Sequence, residues 1–120
     1  MLLVAHGSRR EAANDEMRRL VKKLETMSHP FAGIACAFLE IAKPSIQEAL
    51  QQFIVKDANA IVVLPCFLSA GRHVTADIPE QVEQVKNQYP DVQITVANYL
   101  GASEMMVELI MRQALGSSAD

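Results

Sequence analysis

The sequence lacks any long uninterrupted run of apolar residues. Its hydrophobic stretches are short and flanked by charges, whereas a membrane-spanning helix needs roughly 20 consecutive apolar residues. The first residues, MLLVAHGS, also lack the basic segment and the long apolar segment of a secretory signal. We therefore expect a cytoplasmic protein that makes no use of a membrane.

Positive charge and cysteine are both scarce. The formal net charge is −3 and there is no basic run, so the charge pattern gives no support for a nucleic-acid partner. The two cysteines, Cys36 and Cys66, do not have the spacing of a zinc finger. We expect both to be reduced, small and buried rather than joined in a disulfide.

The sequence does contain four short apolar runs, and half of its 120 residues are apolar. The third run, AIVVL, is almost entirely apolar, as in a parallel strand covered on both faces. The fourth, VQITVA, alternates more and is expected at a sheet edge. The predicted strands are Leu2 to Ala5, Ile34 to Leu39, Ala60 to Leu64 and Val92 to Ala97.

Between and after these runs, apolar residues recur at three- and four-residue spacing, which predicts four helices. Ser8 and Glu11 have the spacing of a capping box at the start of the first helix. In the last helix we expect a buried stripe, and Gly116 stops that helix. We expect residues 1–116 to form one domain and residues 117–120 to be a frayed tail. The stripe of the last helix consists of Met106, Leu109, Ile110 and Leu115.

Four strand–helix units in succession predict a three-layer α/β/α fold with a four-stranded parallel sheet, of flavodoxin-like type. Ligands of such sheets bind beyond the carboxyl ends of the strands. This rule selects four loops, of which the third is long, and long loops at this edge usually serve function. The loops run from His6 to Arg10, Leu39 to Pro44, Pro65 to Ala76 and Asn98 to Ser103.

Three residues that could bind a metal follow the first three strands, namely His6, Glu40 and His73. Two imidazoles and a carboxylate suit Fe²⁺, Co²⁺, Ni²⁺ or Zn²⁺. A metal that must be passed on is better held by two histidines with open positions than by a closed four-ligand cage. Structural roles remain open for each of the three, and so does an approach of Cys66 to a bound metal.

Basic residues gather at the same predicted edge, and they are Arg9, Arg10, Lys43 and Arg72. Guanidinium groups pair with carboxylates through two hydrogen bonds, so this rim would attract a substrate with several carboxylates. The alternative is that these side chains are solvated helix starts, which we favour for one of Arg9 and Arg10. His29 lies at the opposite edge and is interpreted as an ordinary loop histidine.

Three segments of the sequence resemble the CbiX family of sirohydrochlorin chelatases: VAHGSR, AFLEIAKPSIQEAL and LPCFLSAGRHVTADIP. The resemblance covers nearly the whole chain in the right order. It implies half of a class II chelatase fold, acting as a homodimer with the tetrapyrrole in the cleft between two lobes. It also implies insertion of cobalt, iron or nickel into sirohydrochlorin, in the biosynthesis of cobalamin, sirohaem or a nickel tetrapyrrole.

The family's residues can be carried over one by one. Its two metal-site histidines match His6 and His73, and its active-site glutamate matches Glu40. The resemblance implies a divalent metal as substrate, Co²⁺ first and Fe²⁺ or Ni²⁺ next, with no organic cofactor. Cys66 departs from the larger apolar or aromatic residue expected at that position. The ring would be bound by the basic rim and by three hydroxyls, those of Ser8, Ser45 and Ser69.

Two other functions stay open from the sequence. A histidine phosphatase also places His-Gly after a first strand, but it needs an arginine just before the histidine, where this chain has Ala5. A metal carrier or an inactive partner subunit would keep the histidines without processing the ring. The sequence also leaves a heterodimer with a related chain open.

Overall fold

Strands and helices alternate through residues 1–116, the part of the chain that the computed structural model describes. A π-helical turn, His73–Asp77, precedes the third helix, and a 3₁₀ turn, Leu100–Ala102, precedes the fourth. The elements are β1 Leu2–Ala5, α1 Glu11–Glu25, β2 Ala35–Phe38, α2 Ile46–Val55, β3 Ala60–Pro65, α3 Ile78–Gln88, β4 Gln93–Val96 and α4 Met105–Gly116.

The four strands form one parallel sheet in the order β2–β1–β3–β4. The predicted α/β architecture is therefore confirmed, and each strand lies within one residue of its predicted bounds. The alternating strand β4 lies at an edge, as its pattern predicts. Because all four strands are parallel, their carboxyl ends lie at the same edge of the sheet.

The larger core lies between one face of the sheet and helices α2 and α3. Alternate strand residues point into it, since side chains one residue apart lie on opposite faces. Each member is at most 3% exposed, and burying one such large side chain contributes roughly 1.5–3 kcal/mol. Its members are Leu2, Val4, Ala37, Ile46, Ala49, Leu50, Ile61, Val63, Ile78, Val82, Val85 and Ile94.

The opposite face of the sheet is only half covered. Helix α1 packs there through Val21, which forms a smaller core with Leu3 and Ile34. Farther along the same face, over β3 and β4, Val62 is only half-buried and Thr95 is exposed.

Helix α4 does not cover this gap, because it packs mainly against the 3₁₀ turn that precedes it. The predicted buried stripe of this helix is wrong for the single chain: Leu109, Ile110 and Leu115 are 53%, 62% and 80% exposed, and only Met106 is half-buried. The spacing of these apolar residues predicts that a helix forms, but it does not predict whether another surface covers the apolar side of that helix.

The predicted capping box at Ser8 and Glu11 is also wrong. Helix α1 starts after Arg10, whose backbone N–H donates to the Ser8 hydroxyl at 3.0 Å. The buried Asn14 side chain bonds the Ser8 backbone at both N–H (2.9 Å) and C=O (2.8 Å), and this holds Ser8 in the loop ahead of the helix.

A capping box is found instead at the start of α2. The Ser45 hydroxyl accepts from the Glu48 N–H at 3.1 Å, and the Glu48 carboxylate accepts from the Ser45 N–H at 2.9 Å. The bond from the Ser45 backbone also lowers the pKa of Glu48 below its ordinary value.

Within residues 1–116, no helix is both long and apolar enough to cross a membrane. The predicted frayed tail, residues 117–120, lies outside the described residues. The prediction of one domain over residues 1–116 stays a prediction.

Candidate functional site

The ends of β1 and β2 bring His6 and Glu40 side by side. Backbone pairing continues past both strands, since Leu39 N–H donates to Ala5 O (2.9 Å) and Glu40 N–H donates to His6 O (3.0 Å). Gly7 makes this close approach possible: its φ is +100°, and a Cβ there would lie 1.9 Å from the Glu40 carbonyl oxygen. The glycine after the histidine is therefore required by the packing of two loops.

The side chains of this pair interact directly. His6 Nε2 lies 2.8 Å from a Glu40 carboxylate oxygen. The two side chains are 45% and 58% exposed, so the contact adds little stability but remains accessible to a ligand.

His73 reaches the same edge from the long connection between β3 and α3. It begins the π-helical turn, a feature that often marks functional sites. The Gly71 carbonyl accepts from the N–H groups of Val74 and Thr75, both at 3.1 Å, which anchors the start of this turn.

Asp77 orients the His73 ring, with its carboxylate 2.8 Å from Nδ1. A carboxylate at Nδ1 favours the tautomer whose Nε2 carries the free electron pair, an arrangement typical of metal-binding histidines. The sequence interpretation did not include Asp77. The signal for it was the four-residue separation from His73, which puts both side chains on one side of a helical turn.

The two imidazole rings meet at the site, with centroids 4.7 Å apart and planes inclined by 32°. The Phe67 ring, also absent from the sequence interpretation, lies 6.3 Å from His73. No group of three or more His, Cys, Asp or Glu side chains within residues 1–116 has the geometry of a metal cage. The arrangement is an open pair of imidazole rings, with a carboxylate hydrogen-bonded to one nitrogen of each ring.

A cavity of about 210 Å³ adjoins His73 and Glu40. Three carboxylates line it, those of Glu40, Asp77 and Glu80, and negative charge of this kind raises the local concentration of cations. Pockets that bury drug-sized ligands measure about 300–1,000 Å³, so this cavity cannot enclose a large ring.

The predicted basic rim is solvent-exposed at Arg9, Arg10, Lys43 and Arg72. Within the described residues, none of these four side chains forms an ion pair, so they remain available to an anionic ligand.

The three predicted hydroxyls differ in availability. Ser69 is exposed in the long loop after β3. Ser8 and Ser45 already accept backbone hydrogen bonds at the starts of α1 and α2. Ser69 is consequently the freest of the three to bind a ligand.

Cys66 lies in the smaller core rather than at the histidine pair. Burial raises the pKa of its thiol to about 11, so the sulfur stays protonated near neutral pH. Because the thiolate is the form that binds metals, this environment disfavours Cys66 as a ligand. His29 accepts a hydrogen bond from the Phe31 N–H at 3.1 Å, as an ordinary loop histidine does.

Comparison with known proteins gives one consistent picture. The CbiX family model matches residues 1–116. The sirohydrochlorin cobaltochelatase of Saccharolobus islandicus is 34% identical over 119 residues, covering 94% of this chain and 91% of that protein. The sirohydrochlorin ferrochelatase of Priestia megaterium is 27% identical over 121 residues, covering 100% of this chain and 45% of that protein.

Among solved structures, SirB from Bacillus subtilis with Fe³⁺ superposes with a TM-score of 0.84 at 28% identity. The match covers 99% of this chain and 47% of SirB. The chain thus spans about half the length of two of these relatives and nearly all of the third.

Proposed function

The chain belongs to the CbiX family, and on that premise we propose that it is a sirohydrochlorin chelatase, which inserts a divalent metal ion into a tetrapyrrole. The observation that carries the proposal is the pair of imidazoles, His6 and His73, 4.7 Å apart at the carboxyl edge of the sheet. The relative that matches over most of its own length is named a cobaltochelatase, so Co²⁺ is our first choice of metal, before Fe²⁺ and Ni²⁺.

The histidine pair holds the metal while it loses water. Two neutral ring nitrogens are good ligands for Co²⁺, Fe²⁺ and Ni²⁺, and they leave positions open for the nitrogens of the ring. Asp77, bonded to Nδ1 of His73, directs Nε2 of that ring to the metal. An open two-nitrogen site binds less tightly than a closed cage, which favours release of the metal to the tetrapyrrole.

Insertion also releases two protons from the pyrrole N–H groups of the ring. Glu40 is the group proposed to accept one of them, because its carboxylate is exposed beside the histidine pair, and the other proton passes to solvent water at this open edge. Its hydrogen bond with His6 Nε2 gives it a defined position before the metal arrives.

The ring itself is held by charge. We assign its carboxylates to the exposed rim of Arg9, Arg10, Lys43 and Arg72. The hydroxyl of Ser69 can add a hydrogen bond to the ring. Those of Ser8 and Ser45 are less suited, because each already accepts a hydrogen bond from a backbone N–H. The product would serve cobalamin or sirohaem biosynthesis, and the proposed chemistry needs no organic cofactor.

The active form is proposed to be a homodimer. The cavity beside His73 measures about 210 Å³, too little to enclose a tetrapyrrole in one lobe. Two relatives of this chain are about twice its length, so a second copy can supply what their other half provides.

The proposal is tested by mixing the purified protein with sirohydrochlorin and Co²⁺ and following the absorbance of the ring. We expect metal insertion well above the rate of the ring and metal alone. Fe²⁺ and Ni²⁺ in parallel reactions rank the metals. A protein that binds Co²⁺ but leaves the ring at its background rate would be a carrier or an inactive partner subunit, and the chelatase proposal would be wrong.

A further inference from the structure

Ile41, the residue after Glu40, has a backbone conformation that isoleucine rarely adopts. Its φ is +74°, and the Ala42 N–H donates to the Glu40 carbonyl at 2.8 Å. A hydrogen bond between residues two apart closes a γ-turn, and a positive φ at the central residue makes it the rare, strained form. For a β-branched side chain this conformation is an outlier, because the Cβ crowds the following carbonyl oxygen. Ile41 therefore costs stability that a glycine in the same turn would not cost.

A second left-handed residue, Asp57, shows the contrast. Its φ is +68°, in the turn after α2, and apart from glycine it is the only other residue within residues 1–116 with a positive φ. Aspartate enters this region readily, because its short polar side chain can form local hydrogen bonds. The conformation of Asp57 is thus ordinary for its residue type, whereas that of Ile41 is not.

Hydrogen bonds fix the chain on both sides of Ile41. Before it, the Glu40 N–H donates to the His6 carbonyl at 3.0 Å. After it, the Lys43 carbonyl accepts from the Arg18 guanidinium at 3.3 Å. Strained residues persist where the surrounding structure holds them in place, and they cluster at active sites and ligand clamps. The turn is therefore built into the loop that carries Glu40.

The side chain of Ile41 finds little cover in its own chain, since the residue is 57% exposed. Its apolar surface contributes little to the core and is available to a ligand. Exposed Lys43 follows it by two residues, and the loop after β3 repeats the pattern with Leu68, 72% exposed, and exposed Arg72. A tetrapyrrole has an apolar macrocycle surrounded by carboxylates. Apolar side chains flanked by cations are complementary to such a ring.

We propose that Ile41 is a ring-contact residue: the strained turn holds its side chain against the macrocycle of the tetrapyrrole, beside the carboxylate of Glu40. The inference rests on the proposed function and names a residue that positions its substrate. Neighbouring Cα atoms lie about 3.8 Å apart, and Glu40 is itself bonded to His6 at 2.8 Å. A ring that takes metal from the histidine pair therefore comes within reach of Ile41. Because the turn fixes the side chain beforehand, binding the ring orders little that was mobile.

The first measurement is the Kd of metal-free sirohydrochlorin, titrated by the absorbance of the ring. Ile41→Asn keeps a side chain that enters the left-handed region readily, but it removes the apolar surface. We expect Kd to rise about tenfold, as when a large apolar side chain loses its cover. Ile41→Leu keeps the apolar surface and should bind the ring as the native protein does. A native Kd for Ile41→Asn would overturn the proposal.

Asp57→Asn is the matched control. It introduces the same side chain at the other left-handed position, at the opposite edge of the sheet. Because aspartate and asparagine both tolerate this conformation, the Kd of the ring should stay native. A tenfold rise in Kd for Asp57→Asn as well would show that the effect is not local to Ile41, and the proposal would be wrong.

Urea unfolding and Co²⁺ titration separate a ring contact from a structural role. In Ile41→Asn the strain is relieved, so the midpoint of unfolding should shift to a higher urea concentration. Co²⁺ affinity should stay native, because the turn and Glu40 are kept. A lower midpoint or weaker Co²⁺ binding would mean that Ile41 supports the fold or the metal site, and would overturn the proposal. So would a smaller mass in light scattering than that of the native protein, which would place Ile41 in a contact between two copies.

The ring titration and the insertion assay fail independently. A native protein that binds the metal-free ring without inserting metal, and whose Ile41→Asn variant binds the ring more weakly, refutes only the chelatase proposal. A native protein that inserts Co²⁺, and whose Ile41→Asn variant keeps the native Kd for the ring, refutes only the contact at Ile41.

Discussion

At the scale of single residues, the site depends on two histidines from different loops whose rings are 4.7 Å apart. The sequence predicts that His6, Glu40 and His73 share one edge, because all three follow parallel strands. The sequence interpretation missed the bond between Asp77 and His73 because it placed His73 in a loop, whereas the structure has a helical turn there, in which a four-residue separation brings side chains together. The assignment of these residues to metal binding and catalysis stays a prediction.

Replacing either histidine by alanine, His6→Ala or His73→Ala, should weaken Co²⁺ binding by at least 10–100-fold, since changes to groups that only support a ligand already cost that much. Both side chains are nearly half exposed, so the loss of stability should stay within about 1 kcal/mol. Titration with Co²⁺ and a thermal melt measure the two effects. His29→Ala, at the opposite edge, is the matched control and should bind Co²⁺ as the native protein does.

Glu40→Gln should separate metal binding from turnover. The amide keeps the size of the carboxylate beside His6 but cannot take a proton from the ring. We expect that Co²⁺ still binds and that the insertion rate at saturating Co²⁺ falls by about 10²–10⁴-fold, the usual contribution of a general base. Single-turnover absorbance with saturating Co²⁺ gives the rate. An insertion rate equal to that of the native protein would mean that Glu40 does not accept the proton.

Asp77→Asn tests whether this carboxylate acts through His73. The amide can turn its NH₂ towards the ring nitrogen and so favour the wrong tautomer, with the proton on Nε2. Co²⁺ affinity should fall by about 10–100-fold, and the visible spectrum of any bound Co²⁺ should change. Asp91→Asn, in the turn before β4, serves as the control. Native affinity and an unchanged Co²⁺ spectrum for Asp77→Asn would mean that Asp77 only closes the helical turn.

For helices and strands, the spacing of apolar residues predicts which element forms more reliably than it predicts what that element contacts. Strand bounds are correct within one residue because the apolar runs are short and sharply ended. The capping box fails at Ser8, since the Asn14 side chain bonds the Ser8 backbone and the helix starts later. The stripe of α4 fails as a buried surface, because the helix packs mainly against the 3₁₀ turn before it.

Ser45→Ala should destabilise the protein by about 1 kcal/mol, because it removes the hydroxyl that caps the start of α2. Ser8→Ala should cost less, since its hydroxyl serves a loop N–H. Urea unfolding at neutral pH compares the two variants. Equal losses would contradict the assignment of the capping box to α2.

The Glu48 half of this box adds a pH dependence. Its pKa is lowered in the folded protein, so the charged form stabilises the fold above the ordinary value of 4.5. That contribution is lost as the pH falls through the lowered pKa. The free energy of unfolding, measured between pH 7 and pH 3, should be lower for Glu48→Gln than for the native protein at pH 7, and this difference should shrink towards pH 3. A difference that stays constant with pH would contradict the stabilising role of the charged Glu48.

At the scale of the whole molecule, the chain is about half as long as two of its relatives. The exposed apolar helix α4 and the small cavity beside His73 support the proposal that one chain is only part of the active unit. The sequence pointed to a dimer through the short chain, the family resemblance and the size of the ring, whereas the exposure of α4 is visible only in the fold. The cytoplasmic location stays a prediction.

The two histidines are proposed to pass a metal ion to a tetrapyrrole. The most direct measurement is the rate at which sirohydrochlorin takes up Co²⁺, followed by absorbance, for the native protein and for the double variant His6→Ala, His73→Ala. Both proteins are compared at equal concentration, after a thermal melt and light scattering show the same fold and mass. We expect rapid insertion by the native protein and only the background rate for the double variant. Insertion by the double variant at the native rate would contradict it.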